Sequence, residues 1–261
     1  MKVEKNDRLI LLTNDDGLYA GGLNTLINVI QEFGKVVVIS TIESRSGMSQ
    51  ALTVKMPLRI KLLDETDTKR IYACSGTPTD GVKIAVNQLL ERKPDWVVSG
   101  INHGANASVS VIYSGTMAAA IEGCLYGIDS VGFSLNSFSS KADFTPSEKY
   151  VRMIMNNLIR HKLPKGICLN VNIPFVPGKE IRGVKVCRQA RGNWREEFEK
   201  RKDPMGKTYY WLTGIFENHE PKSTDTDEWA LANNYVSVVP VSVDMTAHNY
   251  LDDLKNQINN E

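Results

Sequence analysis

The sequence predicts an α/β protein, with a Rossmann-like three-layer α/β/α core, a mostly parallel sheet and a C-terminal β-rich extension. Two observations carry that expectation. Short apolar runs (Leu9-Ile10-Leu11-Leu12, Val36-Val37-Val38-Ile39, Trp96-Val97-Val98) read as buried strands. They alternate with amphipathic segments through short connections, the rhythm of a doubly wound sheet.

In order, residues 8–13 read as a strand and residues 22–33 as a helix with Leu23, Leu26, Ile27 and Ile30 on one face. Residues 35–40 are a second buried strand, and residues 58–63 and 70–75 pair as a hairpin. Residues 79–91 form an amphipathic helix with Val82, Ala85, Val86, Leu89 and Leu90 on its stripe. Residues 95–99 are a short strand, 116–126 a small-residue helix, 130–134 a strand and 146–160 a helix. Past residue 166 the pattern changes, with strands expected at 167–173, 184–188, 208–213 and 235–241 and helices at 225–232 and 247–257. The charged stretch 191–207, with Arg195, Glu196, Glu197, Glu199, Lys200, Arg201 and Lys202, reads as a solvated helix face. The division is a catalytic core over 1–165 and an extension over 166–261 that completes the domain and supplies oligomer contacts.

The 261 residues suffice for one large domain, and an apolar share of 42% and charged share of 23% are ordinary for a globular chain. A net charge of +1 lacks the basic footprint of a nucleic-acid binder. No apolar run approaches the roughly 18 residues of a membrane helix. The first seven residues lack the apolar stretch of a leader, and a cytoplasmic location is expected. Cys74, Cys124, Cys168 and Cys187 are widely spaced, which argues against a disulfide framework or structural zinc; Cys74 and Cys168 lie in strand-like runs and read as buried thiols.

Asn14-Asp15-Asp16-Gly17 ends the first strand, and the carboxyl ends of parallel strands are where ligands bind. Adjacent carboxylates repel, and a divalent cation is the simplest remedy. A solvated Asp-Gly turn ahead of a helix has the same residues. Two more loops follow strands: Arg45-Ser46-Gly47-Met48-Ser49 and Ser99-Gly100-Ile101-Asn102-His103-Gly104-Ala105-Asn106. Converging at one sheet edge, the three offer hard oxygen ligands, which suit Mg²⁺ or Mn²⁺ better than zinc or copper. Tyr113-Ser114-Gly115-Thr116 opens a helix, where free N–H groups and the dipole favour a phosphate, although Ser114 or Thr116 also reads as an ordinary cap. Gly76-Thr77-Pro78-Thr79-Asp80 reads as a structural helix start. Of the four histidines only His103 lies in a candidate loop, as a proton donor or phosphate contact. The spacing of an EF-hand, a P-loop, a Gly-x-Gly-x-x-Gly fingerprint or a Gly-x-Ser-x-Gly elbow is absent.

These five motifs, in this order and spacing, resemble the SurE family of survival-protein nucleotidases, and the likeness continues to Gly192-Asn193-Trp194 and Tyr235-Val236-Ser237-Val238-Val239-Pro240. The resemblance implies a metal-dependent phosphomonoesterase of nucleoside 5′- and 3′-monophosphates, in some members also of polyphosphate, working as a homodimer or homotetramer. It implies one divalent ion, Mg²⁺ or Mn²⁺, held by Asp15, Asp16, Ser46 and Asn102. Asn102, Asn106, Ser114, Gly115 and Thr116 would bind phosphate. Asp15 and Asp16 would be catalytic, one of them taking the proton of a water that attacks phosphorus. The chain departs from the family at Gly21 (usually Pro), Gly81 (often Cys), Ser108 (commonly Gly), Ser110 (commonly Asp) and Asn234 (Gly). An aspartyl-nucleophile phosphatase needs Asp-x-Asp, which the run Asp15-Asp16-Gly17 does not supply; a non-catalytic phosphate sensor differs by lacking turnover.

Overall fold

The computed structural model describes residues 7–259. The expectation about the first residues falls mostly on 1–6, outside the described residues. The chain runs β1 (Leu9–Thr13), α1 (Gly21–Ile30), β2 (Lys35–Thr41), β3 (Ile60–Glu65), β4 (Lys69–Cys74), α2 (Pro78–Ile84), β5 (Trp96–His103), α3 (Ser110–Tyr113), α4 (Gly115–Leu125), β6 (Asp129–Asn136), α5 (Glu148–Arg160) and β7 (Ile167–Pro174). It continues with β8 (Gly183–Val186), β9 (Gly192–Arg195), β10 (Phe198–Lys202), β11 (Thr208–Leu212), β12 (Ile215–Asn218), α6 (Asp227–Ala232), β13 (Tyr235–Ser242) and α7 (Leu251–Asn259).

Nine strands form one sheet in the order β3-β4-β2-β1-β5-β6-β7-β13-β8. From β4 to β7 every neighbour is parallel; β3 and β13 pair antiparallel with β4 and β7. Period-2 alternation sorts the apolar runs between two layers. Ile10, Leu12, Val36, Val38 and Val98 meet the buried faces of α1 and α5, while Leu11, Val37, Ile39 and Val97 pack on the other side with Val82 and Ala119, from α2 and α4. This covering of both faces is why β1 and β2 are apolar nearly throughout. The chain leaves β1 toward β2 and β4 on one side, then returns to β5 on the other, so the order reverses between β1 and β5. A crevice opens at such a switch point. Gly22 lets α1 approach β5 closely: a Cβ there would lie 2.0 Å from the carbonyl oxygen of Ile101.

The expected hairpin at 58–63 and 70–75 is β3 and β4. Several expectations need correction. The helix expected at 79–91 is α-helical only to Ile84, widens into a π turn over Ala85–Leu89 and ends before Leu90. The strand expected to stop at Ser99 runs on to His103, so the third loop begins inside β5. The charged stretch is not a helix: it holds β9 and β10, the latter paired with β11 as an exposed hairpin and the former with β12. Arg201 faces Tyr209, Glu199 faces Trp211 and Lys200 faces Tyr210 across that hairpin. Such cross-strand contacts outweigh the helical preference of Glu, Lys and Arg. All four cysteines are buried free thiols.

Candidate functional site

Asp15 and Asp16 leave the carboxyl end of β1 at the switch point, and the loop is fixed before they appear. Asn14 donates to the Gly17 carbonyl at 2.9 Å and accepts from the Ser40 hydroxyl of β2 at 2.6 Å. Gly17 has a φ of 100°, a left-handed value that a side chain would strain.

Four segments far apart in sequence then meet. The Arg45 N–H donates to the Asp15 carbonyl at 2.7 Å, tying the second loop to the first. The His103 N–H donates to Asp16 Oδ2 at 2.9 Å, bringing in the third. The Thr116 hydroxyl donates to Asp15 Oδ1 at 2.5 Å, bringing in the start of α4. Ser49 closes the circuit, its N–H donating to the Tyr113 carbonyl and its hydroxyl to that of Ile112. The expected convergence of these loops is therefore present as hydrogen bonds.

The electrostatics follow from burial. Asp15 is 3% exposed. Removal from water pushes its carboxyl up to about 6; the Thr116 hydroxyl opposes that rise and the Asp16 charge adds to it. Burial raises Asp16 as well, against the lowering influence of the His103 N–H. Gly115 leaves room for this carboxylate: a Cβ there would sit 2.8 Å from Asp15 Oδ2. Two adjacent, partly desolvated carboxylates call for a cation.

Asn102 fits that need. Its Nδ2 donates to the carbonyls of His103 (2.9 Å) and Gly104 (2.8 Å), so both amide protons are committed. What it still offers is Oδ1, an acceptor, which suits a cation and not a phosphate oxygen. Among the described residues no three His, Cys, Asp or Glu side chains gather as a metal site. A cation here would complete its shell with amide and hydroxyl oxygens, a hard-donor set that fits Mg²⁺ or Mn²⁺. Ser46 lies on the exposed second loop, where its hydroxyl pairs with Ser44 at 3.0 Å. It joins the site through its neighbour Arg45.

On the anion side, the Ser114 hydroxyl accepts from the Met117 N–H at 3.0 Å, capping α4 and keeping its own proton to donate. Thr116, expected at the phosphate, turns its hydroxyl to Asp15 instead. Asn106 is buried, with one amide proton on Ser134 Oγ at 2.8 Å. His103 packs edge-on against Phe144 at 4.8 Å, with a buried Nε2 that has no hydrogen-bond partner among the described residues. The Gly76–Asp80 segment is structural as expected: Thr77 and Asp80 form a capping box ahead of Pro78.

Sequence reasoning missed Asn170, Asn172 and Asp227. Asp227 accepts the N–H groups of Ser108 (2.9 Å) and Ala190 (2.9 Å), fastening the third loop to the C-terminal part of the chain. Ser108 has a φ of 49°, a left-handed value that glycine adopts without strain. The signal for the two asparagines was present as amides at alternate positions of an otherwise apolar strand.

Comparison with known proteins shows the family. The family model described as survival protein SurE matches residues 10–196. The chain is 51% identical over 255 residues to the 5′-nucleotidase SurE of Flavobacterium johnsoniae, covering 97% of each. It is 50% identical over 254 residues to the 5′-nucleotidase SurE of Christiangramia forsetii, again covering 97% of each. The crystal structure of the SurE protein from Aquifex aeolicus superposes with a TM-score of 0.83 at 36% identity, covering 95% of this chain and 99% of that one.

Proposed function

The chain belongs to the SurE family, and on that membership we propose that it is a metal-dependent phosphomonoesterase that hydrolyses nucleoside 5′- and 3′-monophosphates to nucleoside and phosphate. Polyphosphate, which ends in the same kind of phosphoryl group, is a further substrate. The relatives named above are 5′-nucleotidases, which supports nucleotide hydrolysis in general. The observation that carries the finer reading is the hydrogen bond from Thr116 to Asp15, because it seats a buried carboxylate against the anion-attracting start of a helix.

Asp15, Asp16, Asn102 Oδ1 and Ser46 would hold one divalent ion, Mg²⁺ or Mn²⁺. When bound, that ion supplies charge neutralisation on the phosphoryl oxygens and activates water at neutral pH. The Ser114 hydroxyl, the Gly115 N–H and the remaining Asn106 amide proton hold the phosphate at the first turn of α4. One of the two aspartates takes the proton of the attacking water, and the phosphate contacts at the first turn of α4 orient the ester for in-line departure of the ribose oxygen.

The same reading makes the protein a cytoplasmic homodimer or homotetramer. Exposed Tyr210, Trp211 and Leu212 on β11 and Leu251, Leu254 and Ile258 on α7 support assembly through the C-terminal region. Among the described residues no helix is long and apolar enough to cross a membrane.

The test is phosphate release from a panel of 5′- and 3′-nucleoside monophosphates with Mg²⁺ or Mn²⁺, and again with EDTA. Metal-dependent release supports the proposal and ranks the substrates. A folded protein that binds nucleotide and releases no phosphate with either metal is a sensor, not a phosphatase.

A further inference from the structure

Asn106 sits in the segment that leaves β5, and its main chain is gripped from β7. Its N–H donates to Asn172 Oδ1 at 2.7 Å, and its carbonyl accepts from Asn170 Nδ2 at 2.8 Å. Asn172 Nδ2 donates to Asn170 Oδ1 at 3.0 Å. The three residues thus form a closed ring of hydrogen bonds, each member donating to the next. Its polarity is fixed, because turning either amide over would face oxygen to oxygen or nitrogen to nitrogen.

The ring stands on a polar row that crosses the sheet at one register. Asn102 of β5 lies beside Ser134 of β6, Ser134 beside Asn172 of β7, and Asn172 beside Ser237 of β13. Ser134 takes the Asn106 side chain, donated from Nδ2 at 2.8 Å. Asn106, Ser134, Asn170 and Asn172 are all buried. The neighbours Val171 and Ile173 belong to the main apolar cluster, so β7 turns its amides to one face and its aliphatics to the other. Amides buried this way add nothing over aliphatic packing unless every group is bonded. What they specify is the orientation of Asn106.

We propose that Asn170 and Asn172 are positioning residues that hold Asn106 in the conformation that binds phosphate, acting on the anion half of the site and not on the cation half. The proposal rests on the reading of Asn106 as a phosphate contact. Among the described residues no hydrogen bond joins the ring to Asp15, Asp16, Ser46 or Asn102. Its loss therefore separates two affinities that a general loosening of the fold would lower together.

The test uses the full chain with Asn172→Leu, which keeps the shape and removes the acceptor for the Asn106 N–H, and with Ser134→Ala, which removes only the acceptor for the Asn106 side chain. Asn170→Ser, which shortens the side chain that donates to the Asn106 carbonyl, keeps the test of the ring open should Asn172→Leu fail to fold, and Ser134→Ala reads the grip on the Asn106 side chain separately. Four quantities are measured: dissociation of inorganic phosphate by calorimetry, dissociation of Mn²⁺, and kcat and KM for a nucleoside monophosphate. The expected result is phosphate affinity weakened about tenfold, KM raised by a similar factor, and Mn²⁺ affinity within about twofold of the parent. Unchanged phosphate affinity in a folded variant overturns the proposal. So does a parallel fall in phosphate and Mn²⁺ affinity. A parent protein that binds phosphate but never releases it from an ester sinks the phosphatase reading instead, and leaves the calorimetric comparison standing.

Discussion

The Thr116 hydroxyl donates to Asp15 Oδ1 at 2.5 Å across 101 positions of sequence, joining the carboxylate at the end of β1 to the first turn of α4. That bond opposes the rise in Asp15's pKa that burial causes. Thr116→Val keeps the shape and deletes the donor, so Asp15 holds its proton more tightly and gives it up less readily to a cation. A hydrogen bond to a charged group contributes about 1.5–3 kcal/mol, so with the carboxyl starting at about 6, proton competition should lower Mn²⁺ affinity at pH 7 by about twofold to fifteenfold, with Thr116→Ser close to the parent. Equal Mn²⁺ affinity in the Val and Ser variants would show that the bond does not tune the carboxylate.

Gly115 is required by the same carboxylate. A Cβ at that position meets Asp15 Oδ2 at 2.8 Å and Asp15 Cβ at 2.9 Å, and because Cβ is fixed to the backbone, rotating the carboxylate alone does not relieve the contact. Gly115→Ala should displace Asp15 and lower kcat/KM on the order of a hundredfold, while helix propensity at the start of α4 rises slightly. Steady-state kinetics beside thermal melts checks this; full activity in the Ala variant would mean that the loop gives way freely.

The carboxylate pair was legible because a wholly apolar run, a Gly turn and two acids fall within nine residues, Leu9 to Gly17. Its support was not. Thr116 was legible as a phosphate contact but not as the partner of Asp15, and Asn172 and Asp227, which brace the third loop and not the carboxylates, come near only through the fold, whose distances a linear sequence does not display. The stretch 191–207 misleads for a different reason: Glu, Lys and Arg favour a helix locally, and their strand state depends on partners such as Tyr209 and Trp211. Strand β5 was read short because Gly100 interrupts it, yet its pairing with β6 resumes at Asn102 after a register shift.

Asp16→Asn separates stability from catalysis. The Asn side chain still offers an oxygen to the His103 N–H, now 2.9 Å from Asp16 Oδ2. Burial raises the Asp16 pKa, so its charge opposes folding of the metal-free protein at neutral pH, and the amide removes that opposition. The variant should melt no lower than the parent without metal at pH 7. On the proposed metal role of Asp16 it should also lose activity by on the order of a thousandfold. Near-full turnover would exclude Asp16 from the metal site.

Glu228, beside the Asp227 carboxylate that fastens the third loop, carries the clearest pH signature away from the proposed metal site. Burial pushes its carboxyl up to about 7 from an ordinary 4.5, and the Asp227 charge adds to the rise. The sign follows from proton counting. Below about pH 4.5 the group is protonated both folded and unfolded, and it costs nothing. As pH rises from 4.5 toward 7 the unfolded chain ionises first, so stability falls; above 7 the cost is constant. Glu228→Gln should therefore match the parent near pH 4 and exceed it at pH 8. The half-buried position reduces the gain to about 1–3 kcal/mol. Urea unfolding of both proteins at the two pH values decides the matter. A gap of equal size at pH 4 and pH 8 would trace the stabilisation to packing and leave the Glu228 charge without a role.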